Sequence, residues 1–131
     1  MWHQLYLMVW LAFLQIIIIL LPGLGSYLVD LHATLGLIIL AIAHYNNAKL
    51  KRTAAPNRLK RITKSTAVLA TVQIILGLIL YANVRLSMNV PLAEVVVFLH
   101  LVVALAIITQ AASVATAYDM WEEHEFNTSK T

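Results

Sequence analysis

The stretch LYLMVWLAFLQIIIILL, residues 5–21, contains no Asp, Glu, Lys or Arg and closes with four consecutive isoleucines and two leucines. A hydrocarbon core about 30 Å thick needs roughly 20 mostly apolar residues in helical form. Pro22 and Gly23 follow directly, and these residue types end a helix and permit a chain reversal. The stretch therefore predicts a membrane-spanning helix. No Lys or Arg precedes it, so we expect it to be retained rather than cleaved as a signal peptide.

Three further apolar blocks of similar character occupy residues 27–45, 66–84 and 92–118. Of the 131 residues, 61% are hydrophobic and only 11% are charged, which is far fewer charges than a soluble domain carries. Only helices satisfy their own backbone hydrogen bonds in lipid when no barrel can form. The sequence predicts an all-α, integral membrane four-helix bundle with residues 1–131 in one domain. The sequence contains no cysteine, which excludes disulfides, thiol catalysis and iron–sulfur clusters held by cysteine.

The basic residues predict the orientation of the bundle. Seven of the nine Lys and Arg residues lie between the second and third blocks: Lys49, Lys51, Arg52, Arg58, Lys60, Arg61 and Lys64. Short loops rich in Lys and Arg stay in the cytoplasm, so we expect a multi-pass cell-membrane protein with a cytoplasmic 46–65 loop and cytoplasmic termini. The 22–27 turn and the 85–91 connection then face outward. These basic residues lie between two predicted membrane spans. We therefore expect them to set the orientation of the chain and to contact anionic lipid of the bilayer, and not to bind nucleic acid.

Two histidines are the candidate ligands of a cofactor. His32 lies about five residues into the second block, and His100 lies eight residues into the fourth, roughly 12 Å along a helix. Because both helices run inward, both side chains are expected in the outer half of the bundle. Ionisable groups inside a membrane usually line a site, and neutral imidazole ligates haem iron. The pair predicts one haem b near the outer face with two histidine ligands.

Small and polar residues accompany this pair. Gly36 and Ala104 lie four residues after the histidines and share their faces, while Gln73 and Gly77 lie one turn apart on the third helix. We expect these four residues to border the haem, although small residues also occur wherever membrane helices pack closely. Arg85 is the only basic residue at the outer end, and it is the predicted partner of a haem propionate or a simple interfacial anchor.

A second haem is not expected, because its ligands are missing. His44 follows His32 by 12 residues and points about 120° away from it. The position 14 residues after His100, where a stacked second ligand would lie, is Val114. The remaining histidines are predicted to lie at the inner interface or in the tail: His3, His44 and His124.

Three short motifs resemble one half of a haem A synthase: LHATLG at residues 31–36, VQIILG at residues 72–77 and FLHL at residues 98–101. Members of that family usually have eight helices in two four-helix halves, each with a histidine pair on its second and fourth helices. The resemblance implies a single-half member, with haem ligands at His32 and His100, working as a homodimer on a haem substrate. It covers about residues 5–118.

The chain departs from the family pattern at three places. Ala33 stands where the family commonly has Arg, and Val29 stands where it often has a catalytic Glu, which leaves the adjacent Asp30 as the candidate catalytic carboxylate. The cysteine pair of bacterial members is missing.

Three functions therefore stay open. The first is an oxidoreductase of haem A biosynthesis or a related haem redox protein. The second is a non-catalytic cytochrome b, or a small respiratory-complex subunit that relays electrons from quinol. The third is a haem-free helical scaffold.

Overall fold

The described part of the chain folds into four helices. The computed structural model describes residues 1–23 and 25–130, and within that part it contains no strand. The helices are α1 (Trp2–Leu20), α2 (Gly25–Lys51), α3 (Asn57–Arg85) and α4 (Ala93–Thr128). Each is long and apolar enough to cross a membrane. The predicted all-helical class and the four candidate spans are confirmed.

The helices extend beyond the apolar blocks. The predicted loop at residues 46–65 is wrong for most of its length, since α2 continues to Lys51 and α3 begins at Asn57. Hydropathy marks where apolar residues stop, whereas Lys, Arg and Ala favour helix and let it continue into water. The polar tail is likewise helical as far as Thr128. Of the predicted 22–27 turn, residues from Gly25 onward belong to α2 and Leu24 lies outside the described residues.

The helices are arranged in a ring. Each packs against its neighbours in the order α1, α2, α3, α4 and back to α1, and in the described part of the chain the diagonal pairs α1–α3 and α2–α4 make no close backbone contact. We call the end with both termini and the 52–56 connection the basic end. The opposite end, with the α1–α2 turn and the 86–92 connection, is the histidine end.

Most of the buried side chains lie toward the basic end. The buried residues of α3 all lie at or before Ala70, and those of α4 all lie at or after Ile107. Two clusters of buried apolar residues lie in this half, and one of them contains the fully buried Leu50. In the histidine half, α3 and α4 contribute no fully buried side chain in the described residues. The buried side chains of α3 and α4 are therefore confined to the basic half, whereas Ile18 of α1 and Leu28 of α2 are buried at the histidine end.

This difference in burial predicts unequal costs for the same substitution. Leu50→Ala removes a side chain that is 0% exposed, whereas Leu78→Ala removes one that is 58% exposed. We expect the first to lower the free energy of unfolding by about 2–5 kcal/mol because it leaves a cavity, and the second by less than about 1 kcal/mol. Unfolding by sodium dodecyl sulfate in micelles, followed by circular dichroism, measures both. Equal losses would contradict the difference in burial.

Candidate functional site

The structure brings His32 and His100 together across the bundle. They lie on the diagonal helices α2 and α4, with ring centroids 6.1 Å apart and ring planes inclined at 54°. Both side chains are partly buried. Since the helices themselves make no close backbone contact, the two imidazoles bridge the interior from opposite sides.

This separation suits one shared metal. A metal–imidazole bond is about 2 Å long and the ligating nitrogen lies about 1 Å from the ring centre, so two rings on one metal have centroids about 6 Å apart. Among the described residues, no group of three or more His, Cys, Asp or Glu side chains could hold a metal ion. A bare zinc ion takes three or four protein ligands. Within the described residues, the pair therefore offers a metal two imidazole ligands.

The ring of His32 is oriented by α1. Its Nδ1 lies 3.2 Å from the backbone carbonyl oxygen of Gln15, and the Gln15 side-chain amide donates to the carbonyl of His32 at 2.9 Å. A carbonyl oxygen only accepts, so Nδ1 is the donor and the neutral ring keeps its lone pair on Nε2. A histidine whose second nitrogen donates to a carbonyl has the tautomer and the orientation of a metal ligand.

His100 is held by a side chain, and only one of its two ring nitrogens has a hydrogen-bond partner. Its Nε2 lies 3.2 Å from the side-chain nitrogen of Gln73, which donates to it in this orientation. Its Nδ1 is buried without a hydrogen-bond partner, and so are the side-chain oxygens of Gln73 and Gln15. A buried polar atom without a partner costs about 1–3 kcal/mol. Three such atoms therefore lie around the two rings.

The two predicted glycines lie where side chains of neighbouring helices come close. A Cβ on Gly77 would lie 3.2 Å from Cε1 of His100. A Cβ on Gly36 would lie 3.3 Å from the amide nitrogen of Gln15 and 3.3 Å from Cδ1 of Ile74. Glycine at these positions lets the side chains of the site approach the backbones of α2 and α3. The predicted Ala104 is partly buried one turn from His100.

Asp30 and Arg85 form a separate group at the histidine end. A guanidinium nitrogen of Arg85 lies 3.0 Å from Asp30 Oδ2, and the Tyr81 hydroxyl donates to Asp30 Oδ1 at 3.1 Å. The group ties α2 to α3 and is partly exposed. The propionate contact predicted for Arg85 and the catalytic role considered for Asp30 both stay predictions.

Sequence reasoning missed two members of these groups. Gln15 is not among the predicted site residues, yet it holds the backbone and ring of His32. Tyr81 is not among them either, yet it lies four residues before Arg85 and shares its partner. That i, i+4 spacing on one helix face was the available signal.

Comparisons with family models, with curated proteins and with solved structures find no match to this chain. The likeness to a haem A synthase half therefore stays a resemblance carried by three short motifs.

The close approach of Gly77 to His100 predicts the effect of Gly77→Ala. The added methyl group must displace the imidazole, because a contact of 3.2 Å is tighter than ordinary packing. We expect the ring nitrogen resonances of His100 to shift in ¹⁵N-histidine-labelled protein, after assignment with His100→Gln. Leu78→Ala, which changes the exposed neighbouring residue, should leave them in place. Unchanged His100 resonances in Gly77→Ala would contradict the geometry.

Proposed function

We propose that this chain is a membrane redox protein that binds one haem b through His32 and His100. The observation that carries the proposal is the separation of 6.1 Å between the two ring centroids, reached from diagonal helices. Haem supplies four nitrogen ligands of its own and leaves two axial positions for the protein. The site offers two imidazoles and no third ligand within the described chain.

The surroundings of the rings also support haem. The tautomer of His32 keeps Nε2 free, since Nδ1 is committed to the carbonyl of Gln15. His100 and Gln73 carry buried atoms that lack partners. In the histidine half α3 and α4 bury no side chain fully within the described residues, so separating these helices for a flat group costs less buried contact there than in the basic half.

In this proposal each residue has a limited task. His32 and His100 hold the iron, the Gln15 carbonyl orients His32, and Gly36, Gly77 and Ala104 leave room beside the rings. Haem held by two imidazoles supplies one-electron transfer. Apolar side chains on all four helices keep bulk water away, and their exposure to lipid is compatible with quinol, a second copy or a respiratory-complex subunit as electron partner.

Electron transfer is favoured over oxidation of a haem methyl group. The candidate carboxylate, Asp30, accepts hydrogen bonds from both Tyr81 and Arg85 and links two helices. This engagement suits a structural role better than proton transfer to a substrate. Haem A synthase-like oxidation is thus the less supported form of the proposal.

A haem-free scaffold is the second candidate. It is favoured by the hydrogen bonds that both histidines already make, His32 to Gln15 and His100 to Gln73. In that case the rings tie α2 to α1 and α4 to α3.

Visible absorption separates the two candidates. We expect protein purified in detergent from haem-supplied cells to carry one low-spin haem per chain. His32→Ala and His100→Ala should each lower haem occupancy at least about tenfold, because each removes an axial ligand. His44→Ala removes a histidine that bonds to the Thr71 hydroxyl at 3.0 Å, away from the pair, and should retain the haem.

Circular dichroism of each variant checks that the helices persist. A wild-type protein without a Soret band, or a band that survives in His32→Ala/His100→Ala, would rule out the proposed site.

Chromatography of haem extracted from the same cells distinguishes the two haem functions. Unmodified haem b supports the electron carrier, and a hydroxylated or formylated haem supports the oxidising enzyme.

We further propose that the basic end faces the cytoplasm of a cell membrane, together with both termini. Its support is the concentration of Lys and Arg between residues 49 and 64. The chain lacks cysteine, so single cysteines report sidedness cleanly. In intact cells, a membrane-impermeant maleimide should label Met88→Cys, in the 86–92 connection, and spare Ala54→Cys until the membrane is permeabilised. The reverse pattern would invert the topology.

A further inference from the structure

A cationic groove lies at the basic end, between the end of α2 and the start of α3. It is lined by four cations and one amide: Lys51, Asn57, Lys60, Arg61 and Lys64. Lys60 donates to the backbone carbonyl of Thr53 at 2.8 Å, which holds one ammonium group against the 52–56 connection. We call these five residues the cationic groove.

The cations of this groove lack acidic partners. In the described part of the chain the one ion pair is Arg85 with Asp30, at the opposite end of the bundle. The carboxylates of the basic end lie on α4, where they are exposed: Asp119, Glu122, Glu123 and Glu125. Since none of them lies within ion-pair distance of the groove, its positive charge is available to an external anion.

An exposed apolar stripe continues from the groove along α3. Residues 61, 64, 68, 72 and 75 follow one another at helical spacing of three or four and so share one face. Beyond Lys64 this face carries Val68, 54% exposed, Val72, 38% exposed, and Ile75, 55% exposed. The cationic groove therefore borders the exposed apolar stripe on the same face of α3, where the polar start of this helix gives way to its apolar, candidate membrane-spanning part.

We propose that the cationic groove binds the phosphate headgroup of an anionic phospholipid, with an acyl chain lying along Val68, Val72 and Ile75. Lys and Arg donate charge-assisted hydrogen bonds to phosphate oxygens. Basic pockets beside membrane helices suit such headgroups. A phospholipid carries a charged headgroup and an apolar chain in one molecule. It therefore accounts for the position of the unpaired cations directly beside the exposed valines of α3. The site is separate from the haem proposal and holds with or without it.

Native mass spectrometry of the full chain in detergent, titrated with phosphatidylglycerol or phosphatidylcholine, tests this site. Arg61→Gln/Lys64→Gln should weaken phosphatidylglycerol binding about 30-fold, equivalent to about 1 kcal/mol for each neutralised charge. Arg52→Gln/Arg58→Gln removes the same net charge outside the groove. This control should change phosphatidylglycerol affinity less than about threefold, because the general surface charge of the protein is screened by salt. Equal losses in the two double variants would overturn the site in favour of diffuse attraction.

Two further arms identify the ligand. Val68→Ala/Val72→Ala should weaken phosphatidylglycerol binding, whereas Val95→Ala/Val97→Ala, at equally apolar exposed positions of α4, should not. Inorganic phosphate at millimolar concentration should not displace the lipid. If phosphate displaces the lipid and Val68→Ala/Val72→Ala binds it unchanged, the groove is a site for free anions and the phospholipid proposal is wrong. Equal binding of phosphatidylcholine would also contradict the proposal.

Discussion

In lipid, every backbone hydrogen bond of a span has to be made within the chain. Each of the four helices is long and apolar enough to be such a span, and side chains then join one helix to another. The same constraint also governs the polar residues, since an amide or imidazole within the bundle has no water to bond. Gln15, His32, Gln73 and His100 bond across helix boundaries, and the candidate site is built from these contacts.

The two halves of the bundle differ in which residues they bury. Leucine, alanine and two buried threonines pack the basic half, where Leu50 and Ala115 are fully buried. Unpartnered buried amide oxygens occur at both ends: those of Gln15 and Gln73 at the histidine end, and those of Gln4, Asn46 and Asn47 at the basic end. The histidine end differs in its imidazole pair and in Gly36 and Gly77, whose backbones side chains of neighbouring helices approach closely.

The two ends of the molecule also differ in electrostatics. At the histidine end, Arg85 is paired with Asp30, and the interior holds two imidazoles and two side-chain amides. At the basic end, the cationic groove has no acidic partner within the described chain. An interior with two imidazoles suits a buried cofactor, while unpaired cations beside apolar surface suit an anionic lipid. These are separate physical arguments, so the failure of one proposal leaves the other standing.

By itself, the sequence determined the number of helices, their apolar spans, the excess of basic residues at one end and the similar depth of His32 and His100. These properties follow from hydropathy and from a rise of about 1.5 Å per residue, which are local. Only the tertiary structure decided that α2 and α4 are diagonal, that their imidazoles lie 6.1 Å apart, and that Gln15 and Asp30 find the partners they do. The order of helices around a ring and the rotation of each helix depend on contacts between distant residues, and no local pattern encodes them.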